Sequence, residues 1–191
     1  MPKFTKVSQD TFDELQLEAG VVLTSFDPST PTTPADADIL CATTGGITIT
    51  CKPTFTDFAE DVDNVPNNMM DFKHIDGYDC SLAFSSVKFN AANVAMAIGA
   101  SDTTTTTGYK KILPRNSLKS TDFTDLWWVG DKADGGAVAV KLLNALSTEG
   151  VSITTTKKGK GNMAMTISGH FSLAAQNTVP MEFYVLDAPS Q

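Results

Sequence analysis

The side chains that most often carry catalysis or bind metals are scarce and scattered in this chain. Its two histidines, His74 and His170, form no HExxH or HxH motif, and no GxSxG motif is present. The three cysteines, Cys41, Cys51 and Cys80, form no CxxC pair, and their odd number leaves no complete set of disulfides. We therefore expect no metal, no cofactor and no enzymatic activity, with reduced cysteines that pack as small apolar side chains.

Three short stretches resemble parts of binding loops but lack the residues that would complete them. Residues 157–161, KKGKG, share lysine and glycine with phosphate-binding loops but do not fit the GxxxxGK[ST] spacing between a strand and a helix. Residues 61–64, DVDN, and 131–135, DKADG, resemble fragments of calcium loops in their closely spaced carboxylates, but neither has the closing Glu at the twelfth position. We predict ordinary turns at all three places.

The adjacent tryptophans of LWWVGDKADGG, residues 126–136, raise the question of a carbohydrate site. Neighbouring side chains of an extended strand point to opposite faces, so Trp127 and Trp128 cannot form one flat platform. We predict that one indole packs in the core and that the other meets a second layer, a covering loop or another subunit. Trp128 is the candidate for a subunit contact, and core packing alone is the simpler alternative.

The composition favours a single domain and argues against a nucleic-acid-binding, membrane-spanning or secreted protein. A chain of 191 residues that is 41% hydrophobic suits a single domain, predicted to cover residues 1–191. Asp and Glu number 22 against 14 Lys and Arg, and the net charge of −8 opposes ordinary nucleic-acid binding. No apolar run approaches the roughly 20 residues of a membrane helix. Residues 1–12 lack the apolar stretch of a secretory signal, so we expect the protein to act where it is made or to leave by lysis.

Apolar residues at alternate positions indicate a chain made mostly of strands. Strands are predicted at 15–23, 47–51, 80–84, 110–113, 126–129, 137–143, 151–155 and 162–173. Asn90 as N-cap, the helical spacing over 91–98 and Gly99 predict one short helix. Residues 28–38 and 101–108 are predicted to be polar loops, and the shifted apolar positions after Phe84 predict a bulge at residues 85–86. The expected fold is mostly β: an antiparallel β-sandwich or flattened barrel with one flanking α-helix and a long protruding hairpin loop.

The protruding loop is predicted between the strands at 47–51 and 80–84, which can pair as a long hairpin. Residues 57–79 contain seven carboxylates and one lysine, along with the apolar side chains of Phe58, Val62, Met69, Met70 and Phe72. A loop that is both this long and this apolar needs a partner to cover it. The sequence therefore predicts an interaction element at this place.

Three stretches carry a resemblance to a known family. They are TTGGITITCKPTFTDFAEDVDNVP (43–66), ILPRNSLKSTDFTDLWWVGDKADGG (112–136) and NALSTEGVSITTTKKGKGNMAMTISGHFSLAAQNTVPMEFYV (144–185). In this order the sequence resembles the major tail tube proteins of long-tailed bacteriophages with non-contractile, siphovirus-type tails. The resemblance covers most of the chain but does not extend to residues 28–38 or to the threonine run at 103–107.

The resemblance implies a structural protein of the virion. Six copies would form a ring, and stacked rings would form the hollow tail tube through which the genome is delivered. The expected partners are other copies of this chain, the tape measure protein, the baseplate or tail-tip proteins and the tail terminator protein. DNA would pass through without specific binding, and no membrane would be involved. The expected location is the phage tail, with assembly in the host cytoplasm.

The resemblance also implies a loop between two early strands that reaches the adjoining ring, and residues 57–79 occupy that position. The residues expected on this inter-ring loop are Asp57, Phe58, Glu60, Asp61, Val62, Asp63, Met69, Met70 and Phe72. We predict that its carboxylates lie near a basic surface such as Lys157, Lys158 and Lys160. Two polar strand faces, at 48–50 and at 166–170, are candidates for the tube lumen. The alternatives are a carbohydrate- or cell-binding β-sandwich and the inner tube protein of a contractile tail.

Overall fold

The computed structural model describes residues 7–188, which form eleven strands and one α-helix. The first strands are β1 Gln16–Leu23, β2 Ile39–Cys41, β3 Thr43–Asp57 and β4 Lys73–Ser86. The helix and the next strands are α1 Ala91–Ile98, β5 Ser101–Thr106, β6 Tyr109–Pro114 and β7 Thr124–Lys132. The last strands are β8 Ala137–Ser147, β9 Ser152–Thr154, β10 Asn162–Ser168 and β11 Met181–Leu186.

Every pairing between these strands is antiparallel, as predicted. The main sheet has the order β2-β1-β7-β8-β10-β4-β3, with β11 on β8 and β9 on β10. Strand β8 pairs with β11 along residues 137–142, with β7 from Ala137 to Ala145, and with β10 only at Leu146 and Ser147. It therefore connects two layers, β2-β1-β7-β8-β11 and β8-β10-β4-β3, which pack as a sandwich-like, mostly β fold with one helix.

The main core lies where alternate residues of both layers point inward. Met163, Met165 and Ile167 of β10 are at most 2% exposed, and the intervening residues of this strand are not buried. Leu82 and Phe84 of β4 share this cluster with residues of β1, β7 and β8. The two-residue alternation that predicted these strands thus marks the face that each one buries.

The helix is confirmed at its predicted position. The Asn90 side chain accepts a hydrogen bond from the Asn93 amide, and Gly99 ends the helix with φ +85°. Asn93 is itself buried and donates to the carbonyls of Leu40 and Lys88, while the Ser147 hydroxyl donates to Ala97 O. These bonds attach α1 to the edge of the sandwich.

The first strand departs from strict alternation. Leu15 and Leu17 are 44% and 43% exposed, whereas the neighbours Val22 and Leu23 are both fully buried, on opposite faces. The register with β7 shifts between Leu17 and Val21, where Gly20 has φ +66°. The prediction that residues 15–23 share a single buried face was wrong, because this irregularity resets which side chains point inward.

The bulge predicted at residues 85–86 of β4 lies on the neighbouring strand, β3. The pairing of β4 with β10 runs in register from Ser81 to Ser86, so residues 85–86 contain no bulge on that side. The shift lies in β3 instead, between Thr44 and Ile47, where Gly45 and Gly46 have φ +80° and +84°. The two glycines, which could equally well form a turn between strands, are extra residues inside a strand.

Residues 101–108 were predicted to be a loop, which was wrong. Ser101–Thr106 form β5, which pairs with β6 as a separate two-stranded ribbon closed by residues 107–108. Threonine is β-branched and favours extended backbone, and Gly108 supplies the φ of +92° that the tight turn requires. Arg115 fixes the base of the ribbon through ion pairs with Asp102 and Asp122.

The end of the chain also differs from the prediction. The strand predicted at 162–173 ends at Ser168, and Phe171 and Leu173 beyond it are 43% and 87% exposed. Two strands, β2 and β11, were not predicted. β2 has only three residues, and β11 has two exposed apolar side chains, Phe183 and Val185, so neither shows a clear inward-facing pattern.

Candidate functional site

The outer part of the β3–β4 hairpin extends beyond the sheet and is largely exposed. β10 pairs with β4 only over residues 81–86, so the rest of β4 pairs with β3 alone. Residues 52–57 and 73–79 therefore form a two-stranded ribbon beyond the sheet, and residues 58–72 close it. We refer to residues 52–79 as the arm. A two-stranded ribbon has little stability by itself and depends on further contacts to hold it in place.

The connection at the tip of the arm is shorter than predicted. The sequence placed residues 57–79 in a loop, but β3 includes Asp57 and β4 begins at Lys73, directly opposite it. The tip is also folded. Asp57 accepts hydrogen bonds from the amides of Ala59 and Asn68, and the Phe58 amide donates to Phe72 O at 3.0 Å. The carboxylate of Asp57 thus shapes the tip rather than projecting from it.

Large apolar side chains are exposed along the whole arm. They are Phe55, Phe58, Val62, Met70, Phe72 and Ile75, with exposed fractions between 40% and 85%. Of the apolar residues predicted for an interaction, only Met69 is half-buried. An apolar surface of this extent on one element is typical of a contact site.

Two of these residues, Phe55 and Ile75, were not predicted as site residues. They are directly opposite each other in the ladder, and their strands place them on the face that continues from the core residues Ile49 and Leu82. The sequence did contain the signal, because the alternation of β3 continues past Cys51 to Phe55. Their position beyond the end of β10 is what exposes them.

The arm is strongly acidic. It contains seven carboxylates and two lysines, Lys52 and Lys73. Lys73 lies over the Phe55 ring at 5.8 Å from its centroid, and Glu60, Asp61 and Asp63 are exposed near the tip. Across residues 7–188, no ion pair of the structure includes an arm carboxylate. The negative charge of the arm is therefore available to a partner.

The lysines predicted to face these carboxylates lie at the other end of the same layer. Lys157, Lys158 and Lys160 are exposed in the loop that joins β9 to β10. β10 begins opposite Ser86 and ends opposite Ser81, which is next to the point where the arm leaves the sheet. Six paired residues, about 17 Å of strand at roughly 3.4 Å per residue, separate the two ends. Within one chain the arm and the lysine loop thus point in opposite directions.

Between these ends lies a polar surface that the sequence had shown only as separate strand faces. Thr48, Ala83 and Thr166 are opposite one another across β3, β4 and β10, and Thr50, Ser81 and Ser168 form the next row. We refer to these six residues as the polar face. All six are small and uncharged, and the opposite face of the same strands forms the core. His170, which was included with this surface, lies beyond the end of β10, where its Nδ1 contacts Asn144 O at 3.1 Å.

The two tryptophans point to opposite faces of β7, as predicted. Trp128 packs in the main core, and its Nε1 donates to Ala19 O at 3.0 Å. Trp127 lies in a smaller cluster on the other face, where Phe26 and Tyr184 pack against its ring with centroids 5.5 Å away. Both indoles are only 7% exposed. Trp128 has almost no surface left for a second subunit, and neither ring is accessible for stacking on a sugar.

The other acidic and histidine side chains considered in the sequence have structural contacts. Asp134 accepts from the Gly136 amide and pairs with Lys132 at 2.7 Å, which accounts for the turn at 131–135. His74 lies on the arm beside Phe58. In the described part of the chain, no three His, Cys, Asp or Glu side chains are grouped to hold a metal ion, and no helix is long and apolar enough to cross a membrane.

Comparison with known proteins gives a likeness in structure but none in sequence. No family model and no curated protein matches the sequence. Among solved structures, the chain is similar to a chain from the virion of a native gene transfer agent particle. The TM-score is 0.43 and the identity 9%, over 87% of this chain and 95% of that chain. Similarity at this level establishes no shared function.

Proposed function

We propose that this chain is a structural virion protein whose copies form hexameric rings, and that the rings stack into the hollow tail tube through which a phage genome is delivered. The observation that carries the proposal is the arm, an apolar and acidic ribbon that the other residues of 7–188 leave exposed. The resemblance of the sequence to tail tube proteins supports the same assignment. A single-domain subunit whose function is to assemble also needs no catalytic site.

The positions of the arm and the lysine loop support stacking. The arm extends from one end of the β3–β4–β10 layer, and Lys157, Lys158 and Lys160 lie at the other. In a head-to-tail arrangement, the acidic arm of one ring meets the basic end of the next, so each ring offers the same pair of surfaces again. The exposed apolar side chains of the arm, which include Phe58, Met70 and Phe72, pack on the adjoining ring and are thereby removed from water.

The ring itself closes through sheet edges. β3 is an edge strand of 15 residues, and β9 covers only three residues at the opposite border of its layer. Pairing between neighbouring copies continues the sheet and satisfies backbone groups that are unpaired in one chain. Pro53 lacks an amide proton, so the part of β3 that accepts a neighbouring strand precedes it. The arm beyond Pro53 remains free for the next ring.

The polar face suits the lumen of such a tube. Its rows of threonine, serine and alanine contain no lysine or arginine that would hold a phosphate. The chain as a whole carries a net charge of −8, which repels DNA and prevents tight binding sites on the wall. The DNA therefore slides past without specific contacts. The tape measure protein occupies the same lumen before ejection, and the tail-tip or baseplate and terminator proteins contact the two ends of the tube.

The inter-ring role is tested by removing the tip of the arm. Residues 58–72 are replaced by Asn-Gly, a two-residue turn that can join the facing residues Asp57 and Lys73. Because the tip contributes little to the core, we expect the variant to fold with a nearly unchanged melting temperature but to form no long tubes in electron micrographs. Tubes that elongate normally from this variant would refute the inter-ring role.

A further inference from the structure

The base of the arm contains a pair of thiols that the assembly function does not use. Cys51 and Cys80 are directly opposite each other in the β3–β4 ladder, and their sulfur atoms are 3.7 Å apart. Ser81 is the first residue of β4 that also pairs with β10, so the two cysteines lie where the sheet becomes a two-stranded ribbon. All three cysteines of the structure are reduced.

We propose that Cys51 and Cys80 form a redox-controlled disulfide that locks the base of the arm. Facing residues of antiparallel strands have Cα atoms about 4.5–5.5 Å apart, within the roughly 4.4–6.8 Å that a disulfide spans. The sulfur atoms need to approach to about 2.05 Å, a movement that side-chain rotation supplies without a change of register. The inference concerns the single chain and does not depend on tube formation.

The two thiols differ in a way that gives the reaction an order. Cys51 is half-buried, whereas Cys80 is 3% exposed and its S–H donates to the Cys51 sulfur. Burial, and then the hydrogen bond to Cys51, raise the pKa of Cys80 to about 12. Cys51 is thus the sulfur that an external oxidant reaches and the one that reacts first, because the thiolate is the nucleophile.

A small disulfide such as oxidised glutathione is the oxidant. The Cys51 thiolate attacks one of its sulfurs, which forms a mixed disulfide and releases one glutathione thiolate. The Cys80 thiolate then attacks the Cys51 sulfur, and the second glutathione leaves. Two electrons pass to the small disulfide, and the two protons lost by the protein thiols end on the two released glutathione molecules. The raised pKa of Cys80 makes this second step the slow one.

Cys41 supplies the control. It lies on β2, is 3% exposed, and has no place in the β3–β4 ladder. Purified protein is treated with oxidised glutathione, blocked with iodoacetamide in urea and analysed by mass spectrometry. We expect alkylation of the wild type to fall from three cysteines to Cys41 alone, and that of Cys41→Ala to fall from two to none. In Cys51→Ala and Cys80→Ala the internal disulfide does not form.

Peptide mapping identifies the bond, and hydrogen exchange measures its effect. We expect a single linkage between Cys51 and Cys80 and slower amide exchange in residues 52–57 and 73–79 of the oxidised form, with reversal by dithiothreitol. Three thiols that stay alkylatable, a glutathione adduct that persists on Cys51, a bond to Cys41 or a disulfide between two chains would each overturn the proposal.

Discussion

Among single residues, Gly20 has an unusually constrained position. Its φ is +66°, and a Cβ added there would lie 2.7 Å from Nε1 of Trp128 and 2.5 Å from Val129 O. Gly20 adjoins Ala19, whose carbonyl accepts the Trp128 hydrogen bond. The glycine therefore allows β1 to pass close over the indole, and this close approach accounts for the irregular pairing of β1 with β7.

Gly108 is a matched control for Gly20, since it also has positive φ but no neighbour within 4 Å of an added Cβ. Gly108→Ala introduces backbone strain alone, which costs about 1–2 kcal/mol. Gly20→Ala adds a steric clash in a packed core, so we expect a total loss of about 2–5 kcal/mol in the free energy of unfolding. Urea denaturation of both variants measures the difference, and equal losses would contradict the close packing of β1 on Trp128.

Asp122 gives a prediction about pH. Its carboxylate accepts from the Lys119 amide at 2.8 Å and pairs with Arg115, and these contacts lower its pKa from the ordinary value. A lowered folded-state pKa stabilises the protein above the unfolded pKa of about 3.9, and this stabilisation is lost as the pH falls through the folded value.

We therefore expect Asp122→Asn to lower the melting temperature at pH 7, with a difference from wild type that shrinks towards pH 3. Asp63→Asn, at an exposed carboxylate of the arm, is the control and should melt like wild type across this range. Thermal unfolding followed by circular dichroism provides the comparison. If the difference in melting temperature between Asp122→Asn and wild type did not depend on pH, the negative charge of Asp122 would not be what stabilises the base of the β5–β6 ribbon.

At the scale of elements, the β3–β4 hairpin shows what the sequence can predict. The alternation of Ile47, Ile49 and Cys51 with threonines defined the inward face of β3, and the pairing of Cys51 with Cys80 has the predicted antiparallel sense. The length of the hairpin was not predictable in the same way. Residues 73–77 lie in a strand without a core beneath them, so burial leaves no pattern in their sequence.

The ribbon formed by β5 and β6 was missed for a related reason. Its residues are almost all exposed, so there is no alternation of apolar and polar side chains to reveal a strand. Five successive threonines and Gly108 were compatible with a loop, and only the pairing with β6 distinguishes the two. Strands are thus predicted well from sequence where they bury one face, and poorly where pairing alone maintains them.

The facing pair Phe55 and Ile75 provides a test of the arm as an element. Both side chains are about half exposed, at 53% and 46%, so Phe55→Ser with Ile75→Thr should change the folding of the single chain little. If both are covered in the assembly, each contributes about 0.8–1.5 kcal/mol, half the value for a fully buried side chain because each is already about half buried, and losing both raises the concentration needed for polymerisation at least tenfold.

Sedimentation of polymers over a concentration series measures that threshold. Thr54→Ser, on the opposite face of the same ribbon, is the control and should leave the threshold unchanged. If Phe55→Ser with Ile75→Thr left the concentration needed for polymerisation unchanged, this face of the arm would be exposed to water in the polymer too.

At the scale of the whole molecule, the sheet order contains information that no single stretch of sequence holds. The polar faces at 48–50 and at 166–170 were separate candidates for a lumen, and the pairing of β3 and β10 with β4 joins all of them except His170 into one surface. The same order places the acidic arm and the basic loop at opposite ends. Both arrangements depend on long-range pairing, which the residue pattern of each strand does not determine.

The chain thus has an acidic arm at one end, a basic loop at the other and an uncharged face between them. We propose that copies of this chain complete one another by stacking into tubes. Electron microscopy of the concentrated, purified protein, with image averaging, tests it most directly. The account predicts six-fold rings or hollow filaments, with the arm of each subunit resting on the next ring and the polar face lining the channel. Particles that remain single chains at every concentration would contradict it.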